Sequence, residues 1–293
     1  LDPDKERRTL VLIPLCVASS ASIVVLCSLV GSPPNAIAAK ALGLDFAGWM
    51  KLGLPMMLVI LPAMIAVMYL VLRPNLNQPM SLEKEYIPWT LPRVLTMIVF
   101  VCTAAAWIFG TKLKDTFGIT NPDTWVAVTA AIVIVLLGLA NWKQIADNTD
   151  WGILFLFGGG IALSAILSRS GASAVLGAQV ANSFVLAHPF IVVLASAAFI
   201  VFLTEFTSNT ASAALLVPIF AAIAPQLGVP QEALVMVIAL GASCAFMLPV
   251  ATPPNAIVFG TGLIRQQEMI RVGVVLNVIC VGLIGGWAYL FLL

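Results

Sequence analysis

Leu203-Thr204-Glu205-Phe206-Thr207-Ser208-Asn209-Thr210-Ala211 is a polar island in an apolar sea, and its reading decides the fold. Six of its nine residues are polar, while Phe190–Phe202 before it and Ala211–Ala224 after it are almost wholly apolar. Each flank is roughly 13 to 15 residues long. A helix of that length falls short of a hydrocarbon layer of about 30 Å. Two such arms joined by a polar tip predict a re-entrant hairpin. Irregular backbone at membrane depth survives only where protein or a water-filled cavity surrounds it. The tip is therefore expected to line a cavity, with Ser208, Asn209 and Thr210 facing a solute.

Two further interruptions support this reading. Gly31-Ser32-Pro33-Pro34-Asn35-Ala36-Ile37 and Ala251-Thr252-Pro253-Pro254-Asn255-Ala256-Ile257 both break apolar runs, and Pro-Pro-Asn-Ala-Ile recurs at an offset of 220 residues. Paired prolines remove two backbone donors and end a preceding helix. Proline-interrupted spans at corresponding places in two halves of a chain point to a transporter binding site.

The chain of 293 residues is 61% hydrophobic and 9% charged. Soluble domains carry about 25% charge, so this composition reads as an all-α polytopic membrane protein. A net charge of +1 gives no reason to expect a nucleic-acid partner. The five cysteines lie scattered in or beside apolar runs with no CxxC or Cys/His cluster, so neither a zinc site nor a disulfide frame is indicated. Spans are predicted over residues 9–30, 52–72, 94–109, 125–140, 151–167, 231–248 and 269–293. A proline-rich linker is expected over 73–92, a charged loop around Lys112, Lys114 and Asp115, and an interfacial segment over 170–187. Alternating sides places nine of the fourteen Lys and Arg residues together, Arg7, Arg8, Arg73, Arg265 and Arg271 among them. That side is expected to be cytoplasmic, so the hairpin enters from outside. The partner of Ser208 at the 220-residue offset would precede residue 1, so the chain is expected to be the C-terminal part of a longer protein, beginning after a first hairpin of its own.

The cavity would offer a solute neutral hydroxyls and amides from Ser32, Asn35, Ser208, Asn209, Thr210, Thr252 and Asn255. No Lys or Arg falls in the hairpin or in either Pro-Pro break. Helix N-termini near Ala36, Ala211 and Ala256 add partial positive charge, and carbonyls freed before each break add oxygen ligands. This suits an anion held by dipoles beside a small hard cation held by oxygens. A dianion with no fixed cation nearby needs mobile positive charge; co-bound Na+ supplies it, and protons are the runner-up. Glu205 is an intramembrane acid, open to proton carriage, ion-site electrostatics or a structural hydrogen bond. The Gly158–Gly160 run lacks phosphate-loop spacing and suits close helix packing. His188 reads as interfacial, and Asp147 with Asp150 is only a weak acidic metal pair.

Residues Thr204–Ala211, Met247–Gly260 and Leu29–Ile37 together resemble the repeat signatures of the divalent anion/sodium symporter family, which includes bacterial Na+-coupled dicarboxylate transporters. The resemblance covers essentially the whole chain, as a C-terminal portion lacking the first hairpin. It implies an inverted-repeat, elevator-type transporter with a re-entrant hairpin and discontinuous helices, working as a homodimer in the inner membrane. By position it implies a transport domain from 1–73 and 189–293 and a scaffold or dimerisation domain over 74–188. It also implies Na+ ligands at Thr204, Thr207, Asn209 and the Ala251 carbonyl, with the Gly31 carbonyl region at another Na+ site. The dicarboxylate would meet Ser208, Asn209, Thr210, Thr252 and Pro253, with Ser32 and Pro33 opposite and Asn35 and Asn255 close by. One departure stands out. Family members often carry Ser-Ile-Gly-Gly-x-Gly-Thr before the first break, where this chain has Ser22-Ile23-Val24-Val25-Leu26-Cys27-Ser28.

These residues predict import of C4-dicarboxylates such as succinate, malate and fumarate, coupled to Na+. A Na+-independent exchanger on the same fold is the first alternative. An anion channel is less consistent with paired breaks around one site, and an enzyme lacks a visible nucleophile–base pair or acidic metal motif.

Overall fold

A computed structural model describes residues 7–75, 88–118, 122–148 and 188–293, with isolated positions between 159 and 175. The described residues form helices and turns and no strand. Five helical segments are long and apolar enough to cross a membrane: Arg7–Cys27, Phe46–Leu72, Leu91–Ile108, Asn209–Leu227 and Gln266–Leu292. The chain is a multi-pass membrane protein.

It divides into two units. The first comprises Leu1–Gly43, Trp49–Asn77 and Ile153–Leu293. It opens with α1 (Arg7–Val24), which tightens into a 3-10 turn at Val25–Cys27 and stops. After five non-helical residues α2 (Pro33–Leu42) begins. Its start is written in the sequence: Ser32 precedes a proline and is extended (φ −146°, ψ 142°), and Pro33 and Pro34 take the first two helical positions, where no N–H is needed. Gly43 ends the helix with φ 66°, a conformation that favours glycine. Next comes α3 (Phe46–Leu72), whose internal Pro55 and Pro62 leave it helical.

In the second half of this unit, α8 (Pro189–Leu203) and α9 (Asn209–Ile223) form the two arms around the polar tip. The central helix is α10 (Gln231–Ala242); every residue from Ala233 to Ala242 is buried. A helix that is apolar on all sides belongs inside a bundle. It packs against α2, α8, α9 and α12 (Gln266–Leu292). Gly241 permits the closest approach, since a Cβ there would lie 2.5 Å from Cγ2 of Ile200. The short α11 (Pro253–Gly260) packs on α1.

The 220-residue offset extends far beyond the shared pentapeptide. Helices α3 and α12 coincide end to end at that offset, and α2 and α11 begin at corresponding prolines. Thr252 is extended like Ser32 (φ −142°, ψ 150°). Gly53 and Gly273 correspond too: a Cβ on Gly53 would collide with the Leu26 carbonyl oxygen, and one on Gly273 would reach 2.5 Å from that of Phe246, the residue matching Leu26.

The second unit comprises Leu44–Gly48 and Gln78–Gly152. Here α4 (Leu91–Ile108), α5 (Gly110–Phe117) and α6 (Pro122–Leu136) pack on one another, and α7 (Trp142–Asn148) follows. Trp107 stacks on Phe46 at 5.3 Å between centroids and donates from Nε1 to the Asp123 carbonyl at 3.1 Å. Neither α4 nor α6 buries any residue. Both present apolar side chains outward, among them Phe100, Val101, Trp125 and Ile132.

Three expectations need correction. The segment bearing Lys112, Lys114 and Asp115 is the helix α5, closed by Gly118 at φ 65° with its N–H on the Lys114 carbonyl. The second hairpin arm is longer than expected, because the 3-10 turn Ala224–Leu227 extends α9 to 19 residues; the first arm keeps its 15. The span expected from residue 52 begins at Phe46, after the Asp45 side chain accepts from the Gly48 N–H at 2.7 Å. The predicted segments over 151–167 and 170–187, the Gly158–Gly160 run, Asp150 and most of the 73–92 linker lie outside the described residues.

Candidate functional site

The two helix breaks are held open by the same device. In the first, Asn35 is fully buried and donates from Nδ2 to the carbonyls of Val25 and Ser28, both at 2.8 Å. In the second, Asn255 donates from Nδ2 to the carbonyls of Ala245 and Leu248 at 3.1 and 3.0 Å. All three residues of each clamp correspond at the 220-residue offset. A helix that stops leaves its last carbonyls unsatisfied, and an unmet buried carbonyl costs free energy. Each asparagine answers two of them across the gap. This explains why the Pro-Pro step is followed by Asn in both halves, and it gives Asn35 and Asn255 a bracing task.

Gly31 is the point of closest approach in the first break. A Cβ there would collide with the Val25 carbonyl, the same oxygen that Asn35 clamps. In the second break Ala251 takes this position and is 8% exposed. The Val24 side chain points outward and is 45% exposed. The first break uses backbone oxygens of Val25 and Ser28, so the Val-for-Gly departure leaves its clamp intact.

The hairpin tip is fastened to the second break through Glu205, which is fully buried. Its Oε1 accepts from the N–H groups of Phe246 and Met247 at 2.7 and 3.0 Å and from Nδ2 of Asn277 at 2.6 Å. Its Oε2 accepts from the Leu248 N–H at 3.0 Å. Three successive backbone donors and one side-chain amide converge on one carboxyl group. Of the roles open to Glu205, the geometry assigns the structural hydrogen bond. The first break is fastened to the second by Ser32 and Ser243, whose hydroxyls lie 3.3 Å apart.

The remaining candidate residues fall around this junction. Ser208 caps α9, accepting from the Ala211 N–H at 3.4 Å, and is exposed. Thr210 is in the first turn of α9 and half-buried. Thr252 caps α11, accepting from the Asn255 N–H at 3.3 Å. Pro253 is exposed and Pro33 half-buried, each opening its helix. Thr204 is buried, and its hydroxyl donates back to the carbonyls of Ile200 and Val201 at 3.0 and 3.2 Å. The Thr207 hydroxyl donates to the Leu203 carbonyl at 2.9 Å and lies 2.7 Å from that of Ser212. A hydroxyl whose hydrogen is committed to a carbonyl presents lone pairs to whatever else approaches.

Buried polar atoms without a partner concentrate at the same junction. Among the described residues they are the side-chain oxygens of Asn35, Asn209 and Asn277, with Asp123 Oδ1 in the other unit. Unmet buried acceptors are rare and call for a reason. An amide oxygen left free at a hairpin tip, on a segment that also carries the Thr204 and Thr207 hydroxyls, is the kind of oxygen donor that a hard cation takes.

Sequence reasoning missed Asn277 and Ser243. Asn277 had a usable signal, since it is a polar residue inside a long apolar helix. Ser243 had none, because a serine at a helix end has many ordinary uses. His188 accepts from the Phe190 N–H through Nδ1 at 3.3 Å and so caps α8, with its ring 5.8 Å from that of Tyr289. Asp147 lies exposed on α7. Among the described residues no three His, Cys, Asp or Glu side chains gather as a transition-metal site would require.

Residues 2–293 match the family described as the sodium:sulfate symporter transmembrane region. The chain belongs to this family. Among its relatives is an uncharacterized transporter of Haemophilus influenzae, 50% identical over 299 aligned positions that take in 99% of this chain and 65% of the relative. An uncharacterized transporter of Methanocaldococcus jannaschii is 31% identical over 95% of this chain and 63% of its own length. The sodium-dependent dicarboxylate transporter SdcS of Staphylococcus saprophyticus is 32% identical over 91% of this chain and 56% of its own. The chain thus spans between about half and two thirds of the length of these relatives. In this sodium:sulfate symporter family member, the clamps, the Glu205 staple and the hairpin tip all converge on one place.

Proposed function

We propose that the protein imports C4-dicarboxylates such as succinate, malate and fumarate, coupled to Na+, across the inner membrane. The observation that carries this reading is the junction of hairpin tip and two clamped breaks, with the Asn209 side-chain oxygen buried and unpartnered. The likeness to a transporter whose name specifies sodium and dicarboxylate supports it.

In this reading Na+ is cargo, held by Thr204, Thr207, Asn209 and the Ala251 carbonyl, with another ion near the Gly31 carbonyl. The dicarboxylate meets Ser208, Asn209, Thr210 and Thr252, flanked by Pro253, Ser32 and Pro33. The N-termini of α2, α9 and α11 give partial positive charge toward the anion. Asn35 and Asn255 hold the breaks in shape. The repeat is read as inverted, and the motion as an elevator in which residues 1–73 and 189–293 carry the solute against a scaffold over 74–188. The outward apolar surfaces of α4 and α6 support a scaffold that meets a second copy as a homodimer.

Coupling has an energetic reason. A dianion moving into a negative-inside cell costs about 4.6 kcal/mol per 100 mV, and two Na+ cancel that charge. The test is succinate uptake by the whole protein in proteoliposomes, with Na+ varied against choline. The initial rate is expected to rise sigmoidally with Na+ and to collapse in choline. Equal uptake in choline would favour the Na+-independent exchanger.

A further inference from the structure

Where the start of α1, the end of α3 and the start of α12 come together, the structure gathers a second feature that the transport reading does not use. A cleft of about 720 Å³ is lined by Arg7, Arg8, Arg73 and Arg271, with Glu268 as the acidic residue among them. Glu268 is committed to Arg7: Nε and Nη2 of the guanidinium meet Oε1 and Oε2 at 2.9 and 2.7 Å. That bidentate pair is about a quarter to a third exposed and ties the start of α1 to the start of α12. Among the described residues it leaves Arg8, Arg73 and Arg271 as the surplus charge, three cations around one cleft. All three are exposed.

The repeated architecture does not demand this charge. At the 220-residue offset, Arg7, Arg8 and Arg73 correspond to Leu227, Gly228 and Leu293, and Arg271 corresponds to Lys51. One end of the repeat is therefore cationic where its counterpart is nearly neutral. The cleft is also amphipathic. Leu70 and Val275 line it as well, 69% and 37% exposed, and the apolar surface continues along the helices through Tyr69 and Val278. A free inorganic anion has no use for that apolar margin. A molecule with a charged phosphate and hydrocarbon chains uses both.

We propose that this cleft binds the phosphodiester headgroup of an anionic phospholipid, with Arg8, Arg73 and Arg271 around the phosphate and the acyl chains along Leu70 and Val275. Arginine is suited to phosphate because its planar fork donates two parallel hydrogen bonds. Basic pockets between the cytoplasmic ends of membrane helices are a recurrent place for such headgroups. The inference rests on α1, α3 and α12 being membrane spans and is independent of which substrate is carried.

The test is binding, measured with no substrate or Na+ gradient present, so its failure is separable from failure of the transport reading. The whole protein in detergent is titrated with phosphatidylglycerol, with phosphatidylcholine and with inorganic phosphate, following thermal unfolding and lipid retention by native mass spectrometry. Phosphatidylglycerol is expected to bind and stabilise, and phosphatidylcholine not to. The double variant Arg8→Ala/Arg271→Ala is expected to lose roughly 30-fold in affinity for phosphatidylglycerol. Arg8→Lys/Arg271→Lys, which keeps the charge and leaves the Arg7–Glu268 pair untouched, should retain most of it, separating loss of charge from loss of fold. Equal binding of the two lipids, or unchanged affinity in the Ala variant, would overturn the proposal. Equal stabilisation by millimolar phosphate would assign the cleft to a free anion instead.

Discussion

Glu205→Ala is expected to unfold the hairpin junction. The substitution removes the one acceptor shared by the N–H groups of Phe246, Met247 and Leu248 and by the Asn277 amide. Phe246 and Asn277 are buried and Met247 and Leu248 half-buried, and each donor left unsatisfied away from water costs about 1–3 kcal/mol. Water entering the space left by the side chain recovers part of this, so a loss of about 4 kcal/mol is expected. That is a large share of the stability of an ordinary domain. Glu205→Gln should fall between wild type and Ala, because its carbonyl oxygen still accepts while its amide hydrogens oppose a backbone N–H. The order of melting temperatures in detergent, wild type above Gln above Ala, is the readout. A melting temperature for Glu205→Ala equal to that of the wild type would show that the staple bears no weight.

Asn209→Ala is expected to do the reverse, sparing the fold and removing the activity. The Asn209 side-chain oxygen makes no hydrogen bond although it is buried. Truncating it therefore breaks no acceptor contact, and the melting temperature should stay within a few degrees of wild type. If that oxygen is a ligand for Na+, its loss removes one charge-assisted contact of about 1.5–3 kcal/mol, or roughly a 10- to 150-fold weaker apparent Na+ affinity. Succinate uptake at a fixed, subsaturating Na+ concentration should fall accordingly. Uptake like that of the wild type would mean that the tip is an ordinary turn exposed to water. Paired with Glu205→Ala, this variant separates the residue that holds the site together from the one that works in it.

Much of this arrangement was legible in the sequence, for identifiable reasons. The breaks at Gly31–Asn35 and Ala251–Asn255 could be read because Pro-Pro acts locally: it fixes φ, removes donors and forces Ser32 and Thr252 to be extended. The hairpin tip was legible because six polar residues in an apolar run are costly unless they serve a cavity. Glu205 was visible as a buried acid, yet its role was not, because its donors lie 41 to 72 residues away in sequence. Only the folded chain brings them together. Asn277 escaped because a single asparagine barely alters the hydropathy of a 27-residue helix. The α5 helix was read as a loop because three charges in eight residues outweighed the capping signal of Gly118. The extra turn on α9 was missed because Pro225 looks like a stop, whereas a proline at the start of a 3-10 turn is tolerated.

The central claim is that one site at the junction of tip and breaks holds a dicarboxylate and Na+ together. Equilibrium binding tests it without a membrane gradient. Two ligands that stabilise each other must do so reciprocally and by the same factor. The decisive measurement is succinate affinity of the purified whole protein as Na+ replaces choline at constant ionic strength, with the converse Na+ titration at fixed succinate. Succinate affinity is expected to rise with Na+, and Na+ affinity to rise by the same factor with succinate. Succinate binding of equal strength in choline would contradict the account.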